Sequence, residues 1–186
     1  MANRARDWLA QAERDLQHAE NSRRAEEHEW ACFAAHQAAK KAVKGLHLHL
    51  GQEAWTHVVA RLLRELPVPV PDGLVDRGMV LDTFYVPSRY PNSHPEGAPF
   101  EHYGPLQSEE GIGHAREILA RVRRLDAIER RLDRRIDELE ARLYRQIDHV
   151  AARVDRLDAR AGKLFDDVSA RIAEMGGAGD FASDSH

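Results

Sequence analysis

The chain lacks most of the residues and segments that mark secreted or membrane proteins. A single cysteine, Cys32, among 186 residues excludes an intrachain disulfide, as is usual for proteins of a reducing cytoplasm. Charged residues interrupt every apolar stretch, so none approaches the roughly 18 apolar residues of a membrane-spanning helix. The charged N-terminal residues lack the apolar core of a signal peptide. These absences predict a soluble, cytoplasmic protein without a membrane contact.

The chain also lacks the known sequence motifs for metal ions and for nucleotide phosphates, and it lacks the overall positive charge of a nucleic-acid-binding protein. The net charge is −4, which excludes a chain that is basic throughout but leaves room for a local basic groove. His47 and His49 lie two residues apart on a predicted helix, so their side chains point roughly 200° apart and cannot share a metal ion. HExxH, CxxC, P-loop and GxGxxG patterns are missing. We therefore predict no metal site and no cofactor.

The first two thirds of the chain show helical periodicity and no convincing strand pattern. Apolar residues recur every three or four positions in residues 5–26. An alanine-rich segment follows and ends at Gly51, a plausible helix stop. Further helices are predicted after Thr56, after Asp72 and from Ser108. The pattern predicts an all-α protein: an antiparallel bundle of four or five helices in residues 1–124.

The last predicted helix continues into a long segment with a narrow apolar stripe. From residue 121 to 172 there is no proline, and Gly162 is the only glycine. The stripe recurs in two eleven-residue blocks followed by heptads, a pattern typical of coiled coils. Its residues are Leu125, Ile128, Leu132, Ile136, Leu139, Leu143, Ile147, Val150, Val154, Leu157, Ala161, Leu164, Val168 and Ile172. We predict an intermolecular coiled coil over residues 125–174, giving a homodimer or higher oligomer, and a disordered end over 175–186. The alternative is a helix that folds back onto its own bundle.

A proline-rich segment, "FYVPSRYPNSHPEGAPF" at residues 84–100, stands apart from these helices. It places Arg89 five residues before His94. Arginine offers a permanent forked cation for phosphate, and histidine exchanges a proton near neutral pH. Together they suit attack of a ribose 2′-hydroxyl on an RNA phosphodiester without metal. An arginine followed by a histidine at a similar distance occurs twice more in the chain, so only the context favours this pair.

That context is a family resemblance. "WACFAAHQAAKKAVKGLHLHLG", "WTHVVARLL" and "LDTFYVPSRYPNSHP", followed by a final helix, resemble the HEPN domain family of prokaryotes over residues 3–124. The resemblance implies a helical bundle that dimerises, with an R-x4-6-H motif from each protomer at a shared cleft. It further implies a metal-independent RNase toxin of a toxin–antitoxin or defence pair, commonly encoded beside a minimal nucleotidyltransferase antitoxin.

Carried onto this sequence, the resemblance gives Arg89 and His94 catalytic roles. Arg89 would bind the phosphate and stabilise the transition state, with Tyr90 beside it in the RNA- or nucleotide-binding cleft, and His94 would act as acid, base or orienting group. Ser88 and His57 are candidate supporting residues.

Three alternatives remain open at this point. Arg89 would be structural if it paired with Asp82 or Glu96 to hold the loop. The bundle would be a non-catalytic module if it only bound a nucleotide or a nucleotidyltransferase partner. The chain would be chiefly an assembly scaffold if the coiled coil were its main functional part.

Overall fold

A computed structural model describes residues 4–177 and confirms the all-α prediction. Its helices are α1 (Ala5–Arg24), α2 (His28–His49), α3 (Val59–Arg64), α4 (Asp72–Asp82) and α5 (Pro105–Gly177). The described residues contain no β-strand. The chain divides into two compact units, Met1–Arg130 and Arg131–His186. None of the helices in the described part of the chain is both long and apolar enough to cross a membrane.

Helix α2 is the central helix of the first unit because small residues let neighbours approach it from several sides. Its alanines are almost completely buried, from Ala31 through Ala42. Gly45 lies so close to α1 that an added Cβ would stand 3.2 Å from the carbonyl oxygen of Ala5 and from the Cβ of Trp8. Gly51, just beyond the helix, has φ of +73°, a backbone conformation that glycine adopts at little cost.

Helices α3 and α4 pack closely against each other at Gly78. A Cβ at that position would lie 3.0 Å from the backbone nitrogen and Cα of Ala60. The start of α3 is capped from a distance rather than by Thr56, because Asp82 accepts hydrogen bonds from the backbone N–H groups of Val59 and Ala60 at 2.6 and 3.1 Å. A carboxylate is well suited to these donors at a helix N-terminus.

The last helix begins three residues earlier than its sequence signal predicted. Pro105 is its first residue, in agreement with the preference of proline for the first helical turn. Ser108 is fully buried inside this turn, where its hydroxyl donates to the carbonyl of Pro105 and contacts Nδ1 of His28 at 3.0 Å. Residues of α5 from Ile112 to Val122 complete the core of the first unit.

The second unit is a single helical segment with no core of its own. Every residue from 131 to 175 is exposed, including the apolar stripe from Leu132 to Ile172. Leu125, where the stripe begins, packs against the core of the first unit instead. The helix extends to Gly177, and the rest of the segment predicted as disordered lies outside the described residues. We refer to residues 131–175 as the tail.

Candidate functional site

The proline-rich segment between α4 and α5 is held by short-range hydrogen bonds. Two 3-10 turns, Pro91–Ser93 and Pro99–Glu101, each begin with a proline. The Ser88 hydroxyl is buried and donates to the carbonyl of Phe84 at 2.6 Å, which ties the chain before Arg89 to the last turn after α4. Gly97 turns the chain with φ of +74°. The segment therefore has a defined conformation that presents Arg89.

Arg89 lies on an aromatic floor. The carbon of its guanidinium stands 4.4, 4.8 and 5.0 Å from the ring centres of Phe33, Tyr85 and Tyr90, all within the range of cation–π attraction. Its Nε donates to the carbonyl of Tyr85 at 3.0 Å. Within residues 4–177, neither terminal nitrogen has a hydrogen bond or a carboxylate partner. The two terminal nitrogens of the Arg89 guanidinium are therefore free to donate two hydrogen bonds to one phosphate.

Lys40 is a second cation at the same floor. It comes from α2, is only 8% exposed, and places Nζ 5.3 Å from the centre of the Tyr85 ring. Its ammonium donates to Gln37 Oε1 at 2.6 Å, whereas Asp15 forms its ion pair with Lys41. Burial lowers the pKa of Lys40 from 10.5 to about 8, and the positive charges of Lys44, Lys41 and Arg89 contribute to this shift in that order.

Among the described residues, three cations at this site have no carboxylate within ion-pair distance, although Asp15 attracts Lys40 from farther away. Arg89, Lys40 and Lys44 form no ion pair in the part of the chain that the structure describes. A buried cation is costly unless it is paired, so an anion placed between Arg89 and Lys40 would relieve a repulsion that the free protein carries. We call Arg89, Lys40, Phe33, Tyr85 and Tyr90 the cation cluster.

Two histidines also contact Tyr85. His57 is exposed and stacks on the ring with 5.5 Å between centres. His36 is completely buried, lies 4.8 Å from the same ring, and has Nε2 3.4 Å from Asp82 Oδ1. Burial lowers the pKa of both imidazoles, and nearby Lys40 lowers the pKa of each as well. His57 thus borders the cation cluster, whereas His36 belongs to the core beneath it.

His94 has neighbours different from those of Arg89. Its Nε2 donates to the carbonyl of Pro87 at 2.8 Å, and its ring stacks on His102 at 4.0 Å and meets Tyr103 edge-on. In the described residues, no hydrogen bond, ion pair or ring contact joins His94 to Arg89. With Nε2–H committed to a carbonyl, the neutral ring leaves Nδ1 as the atom that can accept a proton.

The alternative of a structural ion pair for Arg89 is not seen in the described residues. Asp82 caps α3 instead, and the carboxylate of Glu96 does not contact Arg89; the backbone carbonyl of Glu96 accepts from His102 Nε2 at 2.7 Å. Of the two predicted supporting residues, Ser88 uses its hydroxyl to hold the backbone, and His57 stacks on the Tyr85 ring. Tyr90, predicted as part of the binding cleft, lies beside the guanidinium of Arg89.

Sequence reasoning missed Lys40 and Phe33. For Lys40 the sequence offers only a weak signal, a lysine in the alanine-rich helix α2, because Lys41 and Lys44 share that feature and are only partly buried. Nothing in the sequence places it against Tyr85, however, since the two residues are 45 positions apart. Only the packing of α2 against the segment after α4 brings them together.

Comparison with known proteins now decides the family. The HEPN domain model matches residues 5–125. The chain belongs to the HEPN family. No curated protein matches, but several solved structures do. The protein TT1696 from Thermus thermophilus is 50% identical, with a TM-score of 0.65, and the match covers 66% of this chain and 98% of that one.

Two further HEPN structures show the same relationship. ST0689, an archaeal HEPN homologue, is 38% identical over 67% of this chain and 99% of that chain, with a TM-score of 0.59. The HEPN domain protein tm0613 from Thermotoga maritima is 30% identical over 64% and 96%, with a TM-score of 0.54. These relatives match along nearly their whole length, and the HEPN model ends at residue 125. The tail is an addition to the HEPN domain.

Proposed function

We propose that this HEPN protein is a metal-independent endoribonuclease that acts as a dimer through Arg89 and His94. The observation that carries the proposal is the cation cluster: an unpaired guanidinium beside a nearly buried ammonium on an aromatic floor. Such a site suits a phosphodiester, because the cations bind the phosphate and the rings stack on bases. Tyr90 is half exposed, as a stacking residue must be.

The proposed reaction needs only acid–base and electrostatic catalysis. A base removes the proton of the ribose 2′-hydroxyl, the 2′-oxygen attacks phosphorus, and the bond to the 5′-oxygen breaks. The products are a 2′,3′-cyclic phosphate and a 5′-hydroxyl that receives a proton from the acid. Arg89, assisted by Lys40, would stabilise the charge that develops on the phosphate oxygens. Nδ1 of His94 would exchange one of the two protons, with a second protomer completing the cleft.

The experiment must separate chemistry from loop structure, because His94 also holds Pro87. His94→Gln retains an N–H donor for that carbonyl but cannot act as acid or base, whereas His94→Ala loses both. Cleavage of single-stranded RNA in EDTA is expected for the natural protein. It should fall at least a hundredfold in His94→Gln and in Arg89→Ala, with the folded state confirmed by circular dichroism. Full cleavage by folded His94→Gln would exclude the proposed role of His94.

A second function, binding without catalysis, is favoured by the separate surroundings of Arg89 and His94. In this case the cation cluster would bind the phosphates of a nucleotide and His94 would only hold the loop. The expected results are thermal stabilisation of the protein by nucleotides, lost in Arg89→Ala and kept in His94→Gln, together with no RNA cleavage.

The proposed biological setting is a toxin–antitoxin or defence pair with a minimal nucleotidyltransferase as the antitoxin. The support for it is family membership. Expression of the chain alone is expected to arrest growth, and co-expression of a small nucleotidyltransferase from the neighbouring reading frame is expected to relieve the arrest. Normal growth with the soluble protein at high level would argue against a toxin.

A further inference from the structure

The tail has an apolar stripe that the chain itself leaves uncovered. The large residues of this stripe are all about half exposed, from 48% at Val154 to 65% at Leu164. Every residue between 131 and 175 is exposed, so no part of the described tail is buried within its own unit. Covering such a stripe requires a second apolar surface of the same length.

The stripe can be divided into first and second positions of each repeat, with Leu132 and Leu143 as third positions of the eleven-residue repeats. In this register the first positions are Ile136, Ile147, Val154, Ala161 and Val168, and the second positions are Leu139, Val150, Leu157 and Leu164. The first positions are mostly β-branched and the second positions mostly leucine. In parallel coiled coils, this distribution favours two strands.

The charges that flank the stripe favour one relative direction of the two strands. The residues before the first positions are Arg135, Gln146, Arg153, Arg160 and Asp167, and the residues after the second positions are Glu140, Ala151, Asp158 and Phe165. Up to Arg160, the charged residues of the first flank are all basic and those of the second flank are all acidic, and Asp167 ends this pattern. None of Arg135, Glu140, Arg153 and Asp158 forms an ion pair within the described chain.

In a parallel, in-register pair of helices, the flanking residue before a first position faces the residue five positions later in the partner. That rule places Arg135 opposite Glu140 and Arg153 opposite Asp158, each twice because of the twofold symmetry. The three other combinations, Gln146 with Ala151, Arg160 with Phe165 and Asp167 with Ile172, contain no like charges. An antiparallel pair would instead set basic flank against basic flank and acidic against acidic.

We propose that two copies of this chain associate through residues 132–168 as a parallel, in-register, two-stranded coiled coil. The occupant of the apolar stripe is the same stripe of a second copy. The flanking charges set its direction and register, and the β-branched and leucine positions set the number of strands. This interface lies outside the HEPN domain and does not depend on RNase activity.

Disulfide trapping in the full chain tests the direction. Burial raises the pKa of the natural thiol, Cys32, to about 12, with Glu29 adding to the shift, so the unmodified chain is the unreactive control. Leu139→Cys and Leu164→Cys each place one thiol at a second position, one near each end of the interface. Ala152→Cys, on the outer face, controls for random collisions.

A parallel, in-register pair predicts that both stripe variants form covalent dimers separately under mild oxidation, while Ala152→Cys does not. In an antiparallel pair a first position faces a second position, so a dimer that forms only when Leu139→Cys is mixed with Ala161→Cys would show antiparallel strands and overturn the proposal. Absence of any trapped dimer, or sedimentation of the natural chain as a trimer or tetramer, would overturn it as well.

Charge reversal tests the register independently. Arg153→Glu should raise the dissociation constant of the dimer by about tenfold, because two symmetric attractions become repulsions. Adding Asp158→Arg should restore the natural value, and about 1 M salt should remove most of the difference. Arg156→Glu on the outer face is the matched control and should leave the dimer unchanged. Equal effects of Arg153→Glu and the double variant would rule out the proposed register.

Discussion

Helix α2 and the tail are both long helices, but they achieve stability in opposite ways. In α2 the small residues face neighbours on several sides, and its alanines have almost no exposure. In the tail a single narrow stripe is apolar, the remaining faces are charged, and every residue is exposed. Residue size and the width of the apolar face therefore decide whether a helix is covered within its own chain or needs a helix of a second chain.

The largest difference in stability between the bundle and the tail is expected when one leucine in each is replaced by alanine. Leu62 is completely buried, and Leu157 is 59% exposed. Leu62→Ala should lower the free energy of unfolding of the bundle by about 2–5 kcal/mol, because it leaves a cavity. Leu157→Ala should leave the unfolding of the bundle unchanged and weaken self-association. Denaturant unfolding and sedimentation, each at two protein concentrations, measure the two effects; equal loss in both variants would contradict the comparison.

Substitution of one lysine in the bundle and one in the tail should give a smaller difference in the free energy of unfolding, and this difference should depend on pH. Because the folded-state pKa of Lys40 is about 8 and the ordinary value is 10.5, the cost of its buried charge is fully present below pH 8. The contribution of Lys40 to stability therefore rises with pH between about 8 and 10.5, where this group binds more protons in the unfolded chain. Lys40→Met should stabilise the bundle by at most about 3 kcal/mol at pH 7, and this gain should disappear toward pH 10.5.

Lys163→Met in the tail is the control for that experiment. Lys163 is exposed in the helix, so its substitution should change stability by less than about 0.5 kcal/mol at any pH. Melting temperatures of both variants and the natural chain from pH 7 to 10.5 provide the measurement. A stabilisation by Lys40→Met that does not vary with pH would mean that packing rather than charge causes it.

The smallest effects are expected at two helical glycines of the bundle. Gly78→Ala places a methyl group 3.0 Å from the backbone of Ala60 and should destabilise by about 1–3 kcal/mol through overpacking. Gly113→Ala meets no atom within 4 Å and should stabilise by up to about 1 kcal/mol through helix propensity. Chemical denaturation of both variants shows whether each substitution raises or lowers the free energy of unfolding. If both variants are stabilised, α3 and α4 can move apart freely.

The helices and the family were predictable because both depend on local pattern. Apolar spacing, alanine content and capping residues predicted the existence of every described α-helix, and the sequences of α2 and of the segment around Arg89 carried the HEPN resemblance. The helix starts were less accurate, because the start of α3 depends on Asp82 from another helix and that of α5 on Pro105. The joint action of Arg89 and His94 stays a prediction, since the two side chains have separate neighbours in the described chain.

The sequence alone is enough to infer the helices and the HEPN family. It also shows the flank charges of the tail and the segment that carries Arg89 and His94. These properties depend on residue order over a few turns, which periodicity and motifs record. That Lys40, and not His94, lies with Arg89 at the Tyr85 ring follows from the tertiary structure alone. That contact joins residues far apart in the chain, and it exists because the alanines of α2 let the segment after α4 pack closely against it.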